Sequence, residues 1–235
     1  IEDYELPAPA PDGRIRTPNH MGYATPDVLG LSAEFVDFAS TCDKKVLDGG
    51  AAYGAATIAA LKRGATVIAN EITPIDLNVI VKNKTLTDDD RKRLYLKEGK
   101  LPDGVDFPEG SLGAIHMSSV LHFFPPEDVE KMFENAYKWL APGGRFYLIT
   151  ASPYHYATPE LGKIYNKKFN DGEEFPGEVK NFVFNPGGNE PVNSSGSYIH
   201  AMDPRVIFRV ATKYGFVTKK LGIYLMDHLI FHFLQ

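Results

Sequence analysis

Residues 46–54 read Val46-Leu47-Asp48-Gly49-Gly50-Ala51-Ala52-Tyr53-Gly54. A short apolar run ends in an acid, passes through a Gly-rich turn and enters a segment of small residues. A carboxylate at the tip of such a strand accepts hydrogen bonds from a ligand amine or hydroxyl. Glycines and alanines let the ligand approach the backbone, and a helix N-terminus behind the turn adds partial positive charge. A second acid, Glu71, ends the next apolar run 23 positions further on, where an acid commonly takes the ribose hydroxyls of a nucleotide. A Gly-rich turn alone is equally well a tight turn with a packing Asp. The ordered series of acid, turn, helix, strand and second acid is what points to a nucleotide-like ligand.

The other reactive side chains form no nucleophile or metal motif. Ser152, Ser194 and Ser195 stand outside any Gly-x-Ser-x-Gly elbow. His228 and His232 are four apart, but on a strand they share a face without meeting, so no metal is assigned. Cys42 is the single cysteine, which excludes an intramolecular disulfide and a Cys-based zinc centre. It is compatible with a cytoplasmic location. The candidate catalytic groups are His122, which follows a predicted strand on the side where a substrate would sit, and Tyr23. His20, Tyr154, His155 and His200 are further candidates.

Positioning these groups takes alternating strands and helices. Pro7, Pro9, Pro11 and Pro18 make Ile1–Asn19 an extended arm; it has no apolar run, so no signal peptide is expected. Thr25-Pro26-Asp27 predicts the start of a helix to about Ser40, with Val28, Leu31, Phe35, Phe38 and Ala39 on one side. Lys45–Asp48, Ala65–Asn70, Leu94–Leu96, Leu112–Met117 and Arg145–Thr150 read as strands. Between them lie predicted helices at Tyr53–Arg63, from Pro74 to about Lys82, and at Pro126–Leu140. The last is the clearest, with Val129, Met132, Phe133, Ala136, Tyr137 and Leu140 at helical spacing and a stop at Ala141-Pro142-Gly143-Gly144. Asp203-Pro204 opens a closing helix capped by Gly215. Phe216–Leu225 and His228–Leu234, joined through Met226-Asp227, must be antiparallel neighbours, because parallel strands need a crossover. The sum is an α/β chain with a doubly wound, seven-stranded, mostly parallel sheet and an antiparallel last strand.

The chain has 235 residues and a mass of 26.0 kDa, with 43% hydrophobic and 23% charged residues. These values predict one domain over residues 1–235. No apolar run approaches the ~20 residues of a membrane span, so no membrane partner is expected. The formal net charge of -5 argues against a nonspecific grip on phosphate backbones, so no nucleic-acid partner is expected. The oligomeric state is not legible.

Asp48-x-Gly50-x-Ala52-x-Gly54 resembles the first motif of class I S-adenosylmethionine-dependent methyltransferases, an acid followed by glycines at alternate positions. Glu71 matches their second acidic position. Leu112 to His122 resembles their fourth-strand segment, and Leu140-Ala141-Pro142-Gly143-Gly144 is similar to the signature before their fifth strand. The resemblance spans about Lys44–Leu234. It implies S-adenosylmethionine as cofactor and a Rossmann-like methyltransferase fold, with an N-terminal arm and helical lid (1–43) and a substrate-side insertion after strand five (151–200). By position, Asp48 organises the turn that faces the methionine portion, and Gly49, Gly50 and Ala51 allow backbone approach. Glu71 takes the ribose, Ile72 packs on adenine, and Gly99, Lys100 and Leu101 flank the base. Met117 and Ser118 lie beside the methionine moiety, and Tyr23 closes over the cofactor. Two positions depart from the pattern. Ala52 replaces the middle glycine, which an alanine satisfies if φ there is negative. Lys100 stands where an acid often meets the adenine amine, which passes that contact to backbone groups or to Asp103.

A sulfonium methyl is already activated, so the protein mainly aligns the nucleophile and excludes water, and a base is needed only when the acceptor must lose a proton. The expected function is methyl transfer to an O, N or C centre of a small molecule. The acceptor pocket is expected from residues 151–200, with polar tips at Tyr154, Tyr156 and Tyr198 beside aromatics such as Phe182 and Phe184, and from the arm around His20–Thr25. Two alternatives stand beside it. Gly49-x-Ala51-x-x-Gly54 nearly fits a dinucleotide fingerprint, which suggests a nicotinamide oxidoreductase; Asp48 at the strand tip and the antiparallel ending favour methyl transfer. Ala52 and Lys100 leave room for a non-catalytic cofactor-binding or regulatory protein.

Overall fold

The computed structural model describes residues 7–10, 13–17, 22–155, 158–182, 198–224 and 228–235. His20, Tyr156, Phe184, Ser194, Ser195 and the Met226-Asp227 connection lie outside them. In the arm, β1 (Ile15–Arg16) and β2 (Tyr23–Ala24) pair antiparallel. The alternation then runs α1 (Gly30–Ala39), β3 (Lys45–Gly49), α2 (Ala55–Lys62), β4 (Val67–Glu71), α3 (Pro74–Val81), α4 (Asp88–Lys92) and β5 (Leu94–Glu98). It continues through β6 (Leu112–Ser118), a 3-10 turn (Leu121–Phe123), α5 (Pro126–Trp139) and β7 (Leu140–Ala151). The insertion supplies α6 (Pro159–Asn170), β8 (Glu178–Lys180) and β9 (Tyr198–His200). The chain closes with α7 (Pro204–Lys213), β10 (Val217–Tyr224) and β11 (His228–Leu234).

Seven strands form one sheet in the order β10-β11-β7-β6-β3-β4-β5. From β7 to β5 every neighbouring pair is parallel. β11 runs antiparallel to both of its neighbours, β7 and β10. This is the doubly wound sheet with an antiparallel last strand that the sequence predicts.

Side chains alternate across each strand, and this sorts the core into two layers. Val46, Val67, Ala114 and Tyr147 face α1 and α2. Leu47, Ile115, Phe146 and Phe231 face α5 and α7. The same alternation decides where the polar residues go. Asp48 lies two places after Val46 and His116 two after Ala114, so both point under α1 and α2. Met117 points the other way and is fully buried among the α5 layer.

Two boundaries and one additional helix differ from the expectation. α1 starts at Gly30, five residues after Thr25, because Tyr23 and Ala24 are held extended as β2 and Leu29 is extended at the N-cap. The helix lies on the sheet through Leu31, Phe35, Val36 and Ala39; the arm, not α1, reaches the ligand cavity described below. The Pro142-Gly143-Gly144 segment does not separate α5 from its strand: Leu140 already pairs with Leu112, and a register shift absorbs the irregularity. The short α4 was not anticipated, although Thr87 and Asp90 form a reciprocal capping box that the sequence carries openly.

Gly54, the N-cap of α2, has φ +76, and a Cβ there would sit 2.6 Å from Cγ1 of the fully buried Ile80. Gly54→Ala combines a left-handed alanine with overpacking. It is expected to destabilise the fold by about 2–4 kcal/mol. The shift of the urea midpoint at unchanged slope measures it, and a loss under 1 kcal/mol would contradict the packing drawn here.

Candidate ligand cavity at the strand ends

The parallel strands all point their C-terminal ends at one cavity of about 300 Å³, reached by Gly50, Glu71, Gly99, Ser118 and Ala151. Ligands of open α/β sheets bind at this edge. The turn after β3 makes the floor. Gly50 has φ +70, and a Cβ on it would come within 2.4 Å of Val120 Cγ2, so only glycine fits. The backbone N–H groups of Gly50 and Ala51 both donate to the Asn70 carbonyl at 3.0 Å, which ties the turn to the end of β4.

Glu71 is the central side chain of this wall. Its Oε1 accepts from the Ala52 N–H at 2.7 Å, and its Oε2 accepts from the Ile72 N–H at 2.9 Å. It is only 6% exposed, yet it lines the cavity. Burial first, then the nearby Asp76 and Asp48 charges, push its pKa up from 4.5 to about 7, against the pull of the two N–H donors. Each oxygen keeps a lone pair for ligand hydroxyls. The clamp also accounts for Ala52, whose φ is +48 and not negative as the exchange for glycine requires. A left-handed alanine is strained, and its N–H is held in that geometry by Glu71.

Asp48 is used differently. It is 3% exposed and does not line the cavity. Oδ2 accepts from the N–H and hydroxyl of Thr57 at 3.1 and 2.6 Å, and Oδ1 pairs with His116 Nδ1 at 2.8 Å. It holds the turn from below, between β3, α2 and β6. Gly49, Ala51 and Met117 also stay out of the cavity lining. A Cβ on Gly49 would lie 2.9 Å from Leu101 Cδ1 and 3.3 Å from Met117 Cγ. Met117 therefore packs beneath the turn.

At the far end of β4, Asn70 Nδ2 donates to the carbonyls of Lys97 and Gly99, both at 2.9 Å, and shapes the loop after β5. Ile72, Gly99, Lys100 and Leu101 line the cavity there. The Lys100 ammonium reaches Asp128 at 3.3 Å, on a side chain that is 63% exposed, so Lys100 offers the cavity its backbone. Asp103 pairs with Lys131 on the surface and does not line the cavity.

On the other side, Tyr23, His122, Phe123, His155, Leu161 and Tyr198 enclose the space. They come from the arm, the 3-10 turn after β6, and the insertion. The His122 ring lies 4.3 Å from that of Phe123, and the Arg14 guanidinium lies 5.4 Å from the Tyr23 ring. The Tyr198 hydroxyl donates to the Phe124 carbonyl at 3.2 Å; burial and Glu178 raise its pKa, which keeps it neutral. The Tyr53 hydroxyl donates to the Arg16 carbonyl and joins the arm to the turn. Two sequence candidates lie elsewhere. Tyr154 is 48% exposed and donates to Asn166. His200 is fully buried, with Nδ1 bonded to the Phe124 carbonyl at 2.8 Å, and burial lowers its pKa. Among the described residues no cluster of three His, Cys, Asp or Glu could hold a metal ion.

Sequence reasoning missed Asn70, Ser119, Val120 and Phe123, which all line the cavity. A polar residue one place before the strand-ending acid was the signal for Asn70. Nothing in the sequence marked Ser119, whose φ is +60.

Residues 46–144 match the family model described as a methyltransferase domain. No curated protein gives a significant match. Among solved structures, an S-adenosylmethionine-dependent methyltransferase from Mesorhizobium loti aligns with a TM-score of 0.60 at 14% identity, over 88% of this chain and 98% of that one. One from Methanosarcina mazei aligns with a TM-score of 0.64 at 14% identity, over 82% and 92%. The Burkholderia thailandensis 1,6-didemethyltoxoflavin-N1-methyltransferase, solved with 1,6-didemethyltoxoflavin and S-adenosylhomocysteine, aligns with a TM-score of 0.58 at 13% identity, over 88% and 78%. These solved structures share the fold of this chain. No described helix is long and apolar enough to cross a membrane.

Proposed function

We propose that this chain, whose residues 46–144 match a methyltransferase-domain model and whose fold is that of solved S-adenosylmethionine-dependent methyltransferases, moves the methyl group of S-adenosylmethionine to an O, N or C centre of a small cytoplasmic molecule. The observation that carries this reading is Glu71, a buried carboxylate that both shapes the glycine turn and faces the cavity. The residues present fit such a cofactor. Gly50 leaves a floor that a Cβ would fill, Glu71 suits vicinal ribose hydroxyls, and Ile72 and Leu101 give apolar contact for a base between backbone groups.

When bound, the cofactor supplies an electrophilic methyl on a positive sulfur. The chain's own residues then bind, orient and keep water out. The turn and Ser118, which line the cavity with His122, would hold the methionine end. Tyr23, Phe123 and Leu161 provide walls that suit a flat or apolar acceptor. His122 takes the proton where the acceptor nucleophile carries one. The 1,6-didemethyltoxoflavin bound in the Burkholderia thailandensis neighbour supports a small-molecule acceptor, and the acidic charge balance is against nucleic acid.

S-Adenosylhomocysteine is expected to bind at one site per chain and to raise the melting temperature, with NAD producing no shift. Titration calorimetry and thermal shift check both. Stabilisation by NAD with no heat from S-adenosylhomocysteine would overturn the reading.

A further inference from the structure

Below the cavity floor, two buried polar side chains and a half-buried third form a chain that the binding site itself does not use. Asp48 Oδ1 lies 2.8 Å from His116 Nδ1, and His116 Nε2 lies 3.0 Å from Ser32 Oγ. His116 is 3% exposed and stacks on Phe35 of α1, with ring centroids 4.8 Å apart and planes at 15°. In hydrolases the order Asp, His, Ser primes a serine nucleophile. Here Ser32 does not line the cavity and the imidazole is buried between α1 and the sheet, so the hydroxyl is not presented to a ligand in the cavity. The arrangement has a different consequence. Nδ1–H donates to the carboxylate, which leaves Nε2 to accept from the Ser32 hydroxyl. The carboxylate in turn holds Thr57 at the start of α2. The chain therefore joins α1, β6, β3 and α2 directly under the Gly49-Gly50 turn.

We propose that His116 is a positioning residue for cofactor binding: through Ser32 it locks α1, and the arm that leads into it, to the turn held by Asp48. Seven residues before Ser32, Thr25 lines the cavity, as do Tyr23 and Ala24. A fixed α1 therefore fixes where the arm crosses the site, and the Tyr53–Arg16 contact ties the same arm to the other end of the turn. A histidine suits this task because it bridges two groups on opposite sides of a planar ring. An apolar residue would fill the space and leave the Asp48 oxygen short of a donor, at a cost.

The inference rests on the cofactor reading, so wild-type affinity for S-adenosylhomocysteine is measured first; failure to bind there would remove the reading itself. Ser32→Ala and His116→Asn then separate the links. Asparagine keeps an N–H for Asp48 and cannot reach Ser32. Each variant is expected to bind S-adenosylhomocysteine three- to tenfold more weakly, the range of one neutral hydrogen bond. The double variant should be no weaker than His116→Asn alone, and Ser32→Thr, which retains the hydroxyl, should restore affinity. A purely packing role predicts lower melting temperatures with unchanged affinity of the folded protein. That result, or additive losses in the double variant, would overturn the proposal.

Discussion

S-Adenosylhomocysteine affinity is expected to rise as the pH increases through 7 and to lose that dependence in Glu71→Gln. Ribose hydroxyls donate to an ionised carboxylate, so binding favours the charged form of Glu71. In the free protein burial and the Asp76 and Asp48 charges hold its pKa near 7. Below that value, binding must expel a proton and weakens by up to tenfold per pH unit. At pH 8, Glu71→Gln should lower affinity by roughly ten- to a hundredfold, the worth of about 1.5–3 kcal/mol for hydrogen bonds to a charged group. Stability should move the other way. The folded pKa lies above the ordinary 4.5, so between about 4.5 and 7 the native state binds more protons than the unfolded one. The contribution of Glu71 is greatest below 4.5, is lost as pH rises through 7, and leaves a deficit of about 3 kcal/mol above it. Glutamine carries no charge but has one acceptor for two N–H donors, so it should recover part of that deficit, about 1–2 kcal/mol at pH 8. Calorimetric titrations from pH 5.5 to 8.5 and urea melts of the free proteins test both signs. A flat wild-type affinity across pH 6–8 would sink the ribose role of Glu71.

The sheet was legible because its signals are local. Val46-Leu47-Asp48 and Val67 to Glu71 are short apolar runs with acids at their tips, and Pro126 to Trp139 carries a clean helical period. The antiparallel pairing of the last two strands followed from one topological rule, that a tight connection cannot join parallel neighbours. The acids were legible as a pair, but not the division of labour between them. Asp48 and Glu71 look equivalent in sequence, each ending a strand before a turn. Strand alternation sends Asp48 under α1 and α2, where Thr57 and His116 consume its oxygens. Glu71 sits at the last position of β4 and is left facing the cavity. Parity does not separate them, since Glu71 shares the face of Val67 as Asp48 shares that of Val46; Asp48 pairs with Ala69, and Glu71 lies two positions further toward the edge. The positive φ at Ala52 was beyond sequence reasoning, since its cause is a carboxylate 19 residues away. The arm is a similar case. Its prolines forbid a helix, but its place against the cavity depends on Tyr53 meeting the Arg16 carbonyl, a contact no local pattern encodes.

Replacing His122 with Asn is expected to lower turnover by about 10²- to 10⁴-fold while S-adenosylhomocysteine affinity stays within threefold of wild type. The cofactor end of the cavity is built from the turn, Glu71 and the loop after β5, tied together by hydrogen bonds among Gly50, Ala51, Ala52, Asn70, Glu71 and Gly99. The imidazole lines the cavity with Tyr23 and Phe123 and packs on the Phe123 ring. It sits in the turn after β6, whose last residue, Ser118, also lines the cavity and is proposed to border the methyl group. A neutral hydroxyl or N–H acceptor becomes a competent nucleophile only as its proton departs, and a positioned base contributes a factor of this size. Asparagine keeps the approximate volume and can hydrogen-bond the acceptor, but it cannot accept the proton. The loss should therefore fall on kcat, with KM for the acceptor little changed. Single-turnover methyl release over a panel of aromatic hydroxyls, heteroaromatic N–H compounds and tertiary amines reads the result. The first two groups should lose activity in the variant, and tertiary amines, which have no proton to give, should not. Equal turnover of wild type and His122→Asn on an O–H or N–H acceptor would remove His122 from the chemistry and leave it as a wall of the pocket.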